Sequence, residues 1–165
     1  MVNEFDIAKI LIKNKLTVST AESCTGGLLS SKLTDVSGSS AYITLNFVTY
    51  ANEAKESILG VKHSTLENFG AVSEECVKEM AQGTLKVTNS DIALCTSGVA
   101  GPTESENKPA GTLWVSVGIK GEIYTRKFTL PHNIPRIEMK EKFANSALDF
   151  LGEILTKILI SLHQE

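Results

Sequence analysis

Two short stretches carry residue types that could do chemistry together. The first is Ala21-Glu22-Ser23-Cys24-Thr25-Gly26-Gly27, which falls between a β-like run and a helix-like run. At such a junction the first backbone N–H groups of the helix lack partners, so those near Cys24, Thr25 and Gly26 are placed to hold an oxyanion or a phosphate. Gly26 and Gly27 have no Cβ to keep a ligand away. Ser23 is then a candidate nucleophile, with a plain helix cap by Ser23 or Thr25 as the alternative. The second stretch ends in Lys55. A serine hydroxyl needs a base, and none of His63, His132 and His163 lies beside a suggestive loop. A lysine serves once desolvation or nearby positive potential lowers its pKa. With Asn52 as a helix cap, Lys55 falls in the first turn, where the helix dipole disfavours an ammonium. The alternative for Lys55 is an exposed pair with Glu53 or Glu56. Tyr50 is placed to orient the lysine or relay a proton, and otherwise packs at the sheet edge. Neighbouring Cys24 is a second candidate nucleophile, with buried packing as its other reading.

These residues need elements to position them. Asn3 to Lys15 shows helical spacing of Ile7, Ile10 and Leu11, and Leu16 to Thr20 reads as a strand. A helix then runs to about Val36, where Ser37-Gly38-Ser39 stops it. Tyr42 to Tyr50 alternates as a second strand. A short helix closes at Gly60, and Ser64 with Glu67 has capping-box spacing. Ser73 starts a stronger helix whose apolar face is Val77, Met80, Ala81 and Leu85. Asp91 to Thr96 reads as a buried central strand leading to a second permissive loop, Ser97-Gly98-Val99-Ala100-Gly101-Pro102. Gly111 to Val117 and Glu122 to Leu130 form a hairpin about Lys120-Gly121. From about Pro135 a long helix carries the stripe Phe143, Ala147, Leu148, Leu151, Ile154, Leu155 and Ile158. Crossover and hairpin connections together predict a mixed sheet in a three-layer α/β/α sandwich, one domain over residues 1–165.

Composition narrows the function classes. The 165 residues are 42% hydrophobic and 21% charged, ordinary for a globular chain. A net charge of -3 without a basic cluster argues against nucleic-acid binding. No apolar run is long enough to span a bilayer, and Met1 to Lys9 does not read as a leader. Cys24, Cys76 and Cys95 have no ligand spacing and fit a reducing cytoplasm. No metal site is expected, the histidines reading as surface residues. Neither a GxxxxGK[ST] loop nor GxGxxG after the first strand occurs.

Thr20-Ala21-Glu22-Ser23-Cys24-Thr25-Gly26-Gly27, Val48-Thr49-Tyr50-Ala51-Asn52-Glu53-Ala54-Lys55, Leu59-Gly60-Val61 and Gly70-Ala71-Val72-Ser73 follow one another in order. Ser97-Gly98-Val99-Ala100-Gly101-Pro102 and Lys108-Pro109-Ala110-Gly111-Thr112 continue the series. In this the chain resembles the CinA C-terminal-domain family, in its free-standing, nicotinamide-nucleotide amidase form. The resemblance implies hydrolysis of the carboxamide of nicotinamide mononucleotide by a Ser/Lys pair, without a cofactor. Ser23 matches the nucleophile, Lys55 the base and Tyr50 the accompanying tyrosine. Arg136 matches an arginine that helps hold substrate, and Ser97, Gly98 and Gly101 join it as expected phosphate contacts. Asn133-Ile134-Pro135, Lys140 and Thr103-Glu104-Ser105-Glu106-Asn107 depart from the usual pattern, the last replacing a glycine-rich stretch. A homodimer is a further expectation from the resemblance. The alternative function is a non-catalytic nucleotide-binding or regulatory module of the competence-damage type.

Overall fold

The structure, a computed structural model, describes residues 1–162. The element order is α1 (Glu4–Asn14), β1 (Val18–Glu22), α2 (Leu28–Thr34), β2 (Phe47–Val48), α3 (Asn52–Leu59), α4 (His63–Phe69), α5 (Glu74–Thr88), β3 (Ile92–Gly98), β4 (Thr112–Ile119), β5 (Glu122–Thr129) and α6 (Arg136–Leu162). The sheet order is β2-β1-β3-β4-β5. β2, β1 and β3 are parallel, whereas β3, β4 and β5 are antiparallel neighbours. Mixed pairing and an α/β architecture are therefore as expected. Helices α1, α2 and α6 cover one face and α3, α4 and α5 the other.

Local chemistry explains several boundaries. Asn3 caps α1 in a reciprocal box with Asp6, and Ser73 caps α5 through the N–H of Cys76. Gly60 ends α3 with φ 69°, a left-handed conformation that glycine adopts freely. The α6 stripe is buried through Phe143, Ala147, Leu148, Leu151, Ile154 and Leu155. Among the described residues no helix is long and apolar enough to cross a membrane.

Three expectations need correction. β1 begins at Val18, two residues beyond Leu16, because Leu16 N–H still donates to Leu11 O at the end of α1 and Thr17 N–H donates to Asp91 Oδ2. The run Tyr42 to Tyr50 keeps only Phe47–Val48 as strand. Thr20 N–H donates to Asn46 Oδ1 and Leu45 N–H to Ser19 Oγ, so side chains occupy positions that a backbone ladder would fill. Ser64 does not cap α4; Lys62 N–H and Thr65 Oγ1 both donate to Glu79 of α5 instead.

Candidate active site

The parallel strands all deliver their carboxyl ends to one edge of the sheet, where α/β folds bind ligands. β1 ends in Glu22 and then Ser23. Alternation along the strand sends neighbouring side chains to opposite faces. Glu22 points to α2, where its carboxylate accepts from Leu29 N–H, Ser30 N–H and Ser30 Oγ. Ser23 therefore goes the other way, toward α3. The cap reading of Ser23 and Thr25 is thus corrected: α2 is capped by Glu22. Thr25 Oγ1 instead pairs with Thr96 Oγ1 at 2.9 Å, tying the turn to β3.

Lys55 projects from the first turn of α3, whose cap position is Ala51 rather than Asn52. It is 1% exposed. Its Nζ lies 3.0 Å from Ser23 Oγ and donates to Thr49 O at 2.8 Å and to Tyr50 O at 2.9 Å. No carboxylate reaches it among the described residues, since Glu56 is taken by His63 and Glu53 makes no ion pair. Burial pushes its pKa below the usual lysine value, against weaker opposing effects of Cys76, Cys24, Glu106 and Glu53. Two of the three partners are carbonyls, which only accept. A neutral amine has two N–H bonds for those carbonyls and one lone pair left over. That lone pair then faces the Ser23 hydroxyl, the geometry of a base beside a nucleophile.

The other predicted residues fall in different places. The Tyr50 hydroxyl does not bond the lysine; the residue is 58% exposed, and its OH accepts from Arg136 Nη2 at 3.2 Å. The tyrosine orients Lys55 through its backbone carbonyl alone. Gly26 and Gly27 take φ 59° and 99°, which explains the paired glycines. The Gly26 N–H is already committed to Ser23 O at 3.0 Å, so it does not serve as an open donor. Thr25 N–H has no acceptor among the described residues. Ser97 is buried, and its Oγ donates to Ala71 O at 2.8 Å, which removes it from ligand contact. The Gly101 carbonyl accepts from Arg136 Nη1 at 2.5 Å. Gly98 packs where a Cβ would meet Thr112 O and Cys24 Sγ. A cleft of about 270 Å³ is lined by Cys24, Tyr50, Gly98, Gly101, Arg136 and residues 103–105, and the Ser23–Lys55 pair is reached from it past Cys24 rather than lining it.

Sequence reasoning missed four contributors. The carbonyls of Thr49 and Tyr50 orient the lysine, and no side-chain pattern announces them. Glu106 accepts from Ala71 N–H and Val72 N–H, both at 3.0 Å, so it fixes the 103–107 segment as an anchored wall. Gly83 lies inside α5 where a Cβ would fall on the Leu59 carbonyl, so it lets α3 press close and sets the height of Lys55. A glycine within a helix was the available signal. The Cys24 alternative is weakened: the residue is 5% exposed, and burial pushes the thiol pKa up to about 12. His63 pairs with Glu56, His132 is exposed, and His163 lies outside the described residues. Among the described residues no three His, Cys, Asp or Glu side chains gather as a metal site.

Comparison with known proteins gives a consistent result. A family model described as the CinA C-terminal domain matches residues 3–155. The chain is 46% identical over 155 residues to a protein of Thermoanaerobacter sp. (strain X514) named as competence-damage inducible, covering 93% of this chain and 37% of that protein. It is 46% identical over 152 residues to the protein MG115 homolog of Mycoplasma pneumoniae, covering 92% and 96%. The crystal structure of competence damage-inducible protein A from Klebsiella pneumoniae matches with TM-score 0.89 at 36% identity, covering 93% and 94%. That of competence/damage inducible protein CihA from Agrobacterium tumefaciens matches with TM-score 0.87 at 37% identity, covering 93% of each chain. The chain thus spans 37% of the length of the Thermoanaerobacter relative and nearly all of the Mycoplasma one. With the match running through almost every element described above, the chain belongs to the CinA C-terminal domain family.

Proposed function

We propose that this chain is an amidohydrolase that cleaves the carboxamide of nicotinamide mononucleotide, releasing nicotinate mononucleotide and ammonia. The observation that carries the reading is the 3.0 Å contact between Lys55 Nζ and Ser23 Oγ. Both residues are buried, and there the lysine meets two carbonyls and no counter-charge. The choice of substrate follows from the family motifs that surround this pair.

Neutral Lys55 takes the proton of Ser23 Oγ as the oxygen attacks the carboxamide carbon. Backbone N–H groups of the turn that follows Ser23 hold the developing oxyanion. The C–N bond breaks, the leaving nitrogen takes the proton from Lys55, and ammonia departs. The acyl group then sits on Ser23 as an ester. Lys55, neutral again, takes a proton from water, which attacks the ester and frees the carboxylic acid; the lysine returns the proton to Ser23 Oγ. Arg136, held by Gly101 O and Tyr50 OH, meets the substrate phosphate.

Ammonia release from nicotinamide mononucleotide tests this. Ser23→Ala should lower turnover by more than about a thousandfold. Lys55→Arg should do the same, because a guanidinium stays protonated. Full turnover by folded Ser23→Ala protein removes the assignment.

A further inference from the structure

The cleft lined by Cys24, the residue that follows Ser23, holds two opposite charges that form no ion pair. Its lining includes one guanidinium, Arg136, and one carboxylate, Glu104. Neither joins an ion pair among the described residues. Arg136 donates only to neutral oxygens, Gly101 O and Tyr50 OH, so its charge is oriented without being neutralised. Glu104 is exposed within the same lining.

Backbone anchors hold the two sides where they are. At one end of the Glu104 loop, the Gly101 carbonyl clamps Arg136 at 2.5 Å. At the other end, Ser105 and Lys108 exchange backbone hydrogen bonds of 3.1 and 2.9 Å. One residue further, Glu106 is bound to Ala71 N–H and Val72 N–H. Glu104 therefore stands on a fixed wall between two attachments, not on a free tip.

We infer that Glu104 is a specificity-determining residue, selecting an amide whose ring is positively charged and whose other end carries an anion for Arg136. The inference rests on the amidase reading, in which the substrate is an N-ribosyl pyridinium with a phosphate. The physical reason is a difference of affinities. A cationic ring in this cleft gains from a carboxylate that has no other partner, and a neutral ring of the same outline gains nothing. Because the cleft is open to water, the discrimination is several-fold, not thousands-fold, and salt weakens it.

The test compares two ligands that differ in ring charge: nicotinamide mononucleotide and its neutral 1,4-dihydropyridine form. Ser23→Ala protein, which cannot turn over, is titrated with each by calorimetry. The cationic ligand should bind roughly three- to tenfold more tightly. Adding Glu104→Gln should bring the ratio to within about twofold of unity, and so should about 0.5 M salt with Glu104 intact. A ratio that Glu104→Gln leaves unchanged overturns the inference. So does an equal loss for both ligands, which marks an effect of shape. Binding of neither ligand overturns it together with the amidase reading. Ammonia release by the wild-type protein separates the two otherwise. Turnover with a Glu104-independent ratio removes charge selection alone; a Glu104-dependent ratio without turnover removes the amidase reading alone.

Discussion

Replacing Lys55 by Met removes the amine and keeps an unbranched stem of similar length. In the native protein Lys55 is 1% exposed, and burial holds its pKa below the ordinary 10.5. The unfolded chain regains the ordinary value. Between the lowered folded pKa and 10.5 the unfolded state therefore binds a proton that the native state has lost. Wild-type stability must rise with pH across that window, by at most about 1.36 kcal/mol per pH unit for one proton. Below the folded pKa both states are protonated, the slope vanishes, and the cost of burying the ammonium is felt in full. Lys55→Met carries no such proton. Cys24 and Cys76, pushed up to about 12 by burial, bias both proteins alike at alkaline pH and largely cancel in the difference. Urea unfolding from about pH 6 to about pH 9.5 gives that difference directly. It should tilt toward the wild type as pH rises. Its offset reflects the Thr49 and Tyr50 carbonyls stranded in the variant, roughly 1–3 kcal/mol each. A flat difference throughout means that Lys55 ionises like an exposed lysine, and the base assignment fails with it.

Gly83→Ala should destabilise by about 1–3 kcal/mol, because its Cβ lands on the Leu59 carbonyl. Since α3 carries Lys55, kcat should fall at least about tenfold under conditions where the variant remains folded, read by denaturant melts alongside ammonia release. Glu106→Gln should cost about 1–2 kcal/mol at neutral pH, a partly exposed site lowering the usual value for charged hydrogen bonds. Burial raises the Glu106 pKa, but the Val72 and Ala71 N–H groups and Lys108 outweigh it and hold the pKa below the usual range. The wild-type advantage is therefore complete above the ordinary 4.5 and lost as pH falls through the lowered value, which unfolding at acidic pH reads. Thr49 Oγ1 is a buried hydroxyl without a hydrogen-bond partner among the described residues. Thr49→Val should be neutral or stabilising by up to about 1 kcal/mol in a thermal melt.

What was legible in the sequence was mostly local. Gly60, Ser73 and the Lys120-Gly121 turn act on their own neighbours, and the α6 stripe repeats over many turns. Non-local substitutes were hidden. Glu22 caps α2 and Glu79 ties down the start of α4 from other elements, and Asn46 replaces a ladder bond that alternation alone assigns to strand. The site divides in the same way. Ser23 stood out by its place at a strand-to-helix junction and Lys55 as a misfit in the first turn of a helix, and the structure brings them into contact. Tyr50 and Ser97 were read by side-chain type, yet the first acts on the lysine by its carbonyl and the second is spent on Ala71. A side chain's name does not reveal which of its residue's atoms will be used.

The covalent intermediate is the most direct test of the account. Acid-quenched single-turnover samples with nicotinamide mononucleotide, examined by intact mass and peptide mapping, should show the acyl ester on Ser23 and none in Lys55→Arg protein. An adduct on Cys24 instead, or undiminished ammonia release with Ser23 replaced by Ala, would contradict it.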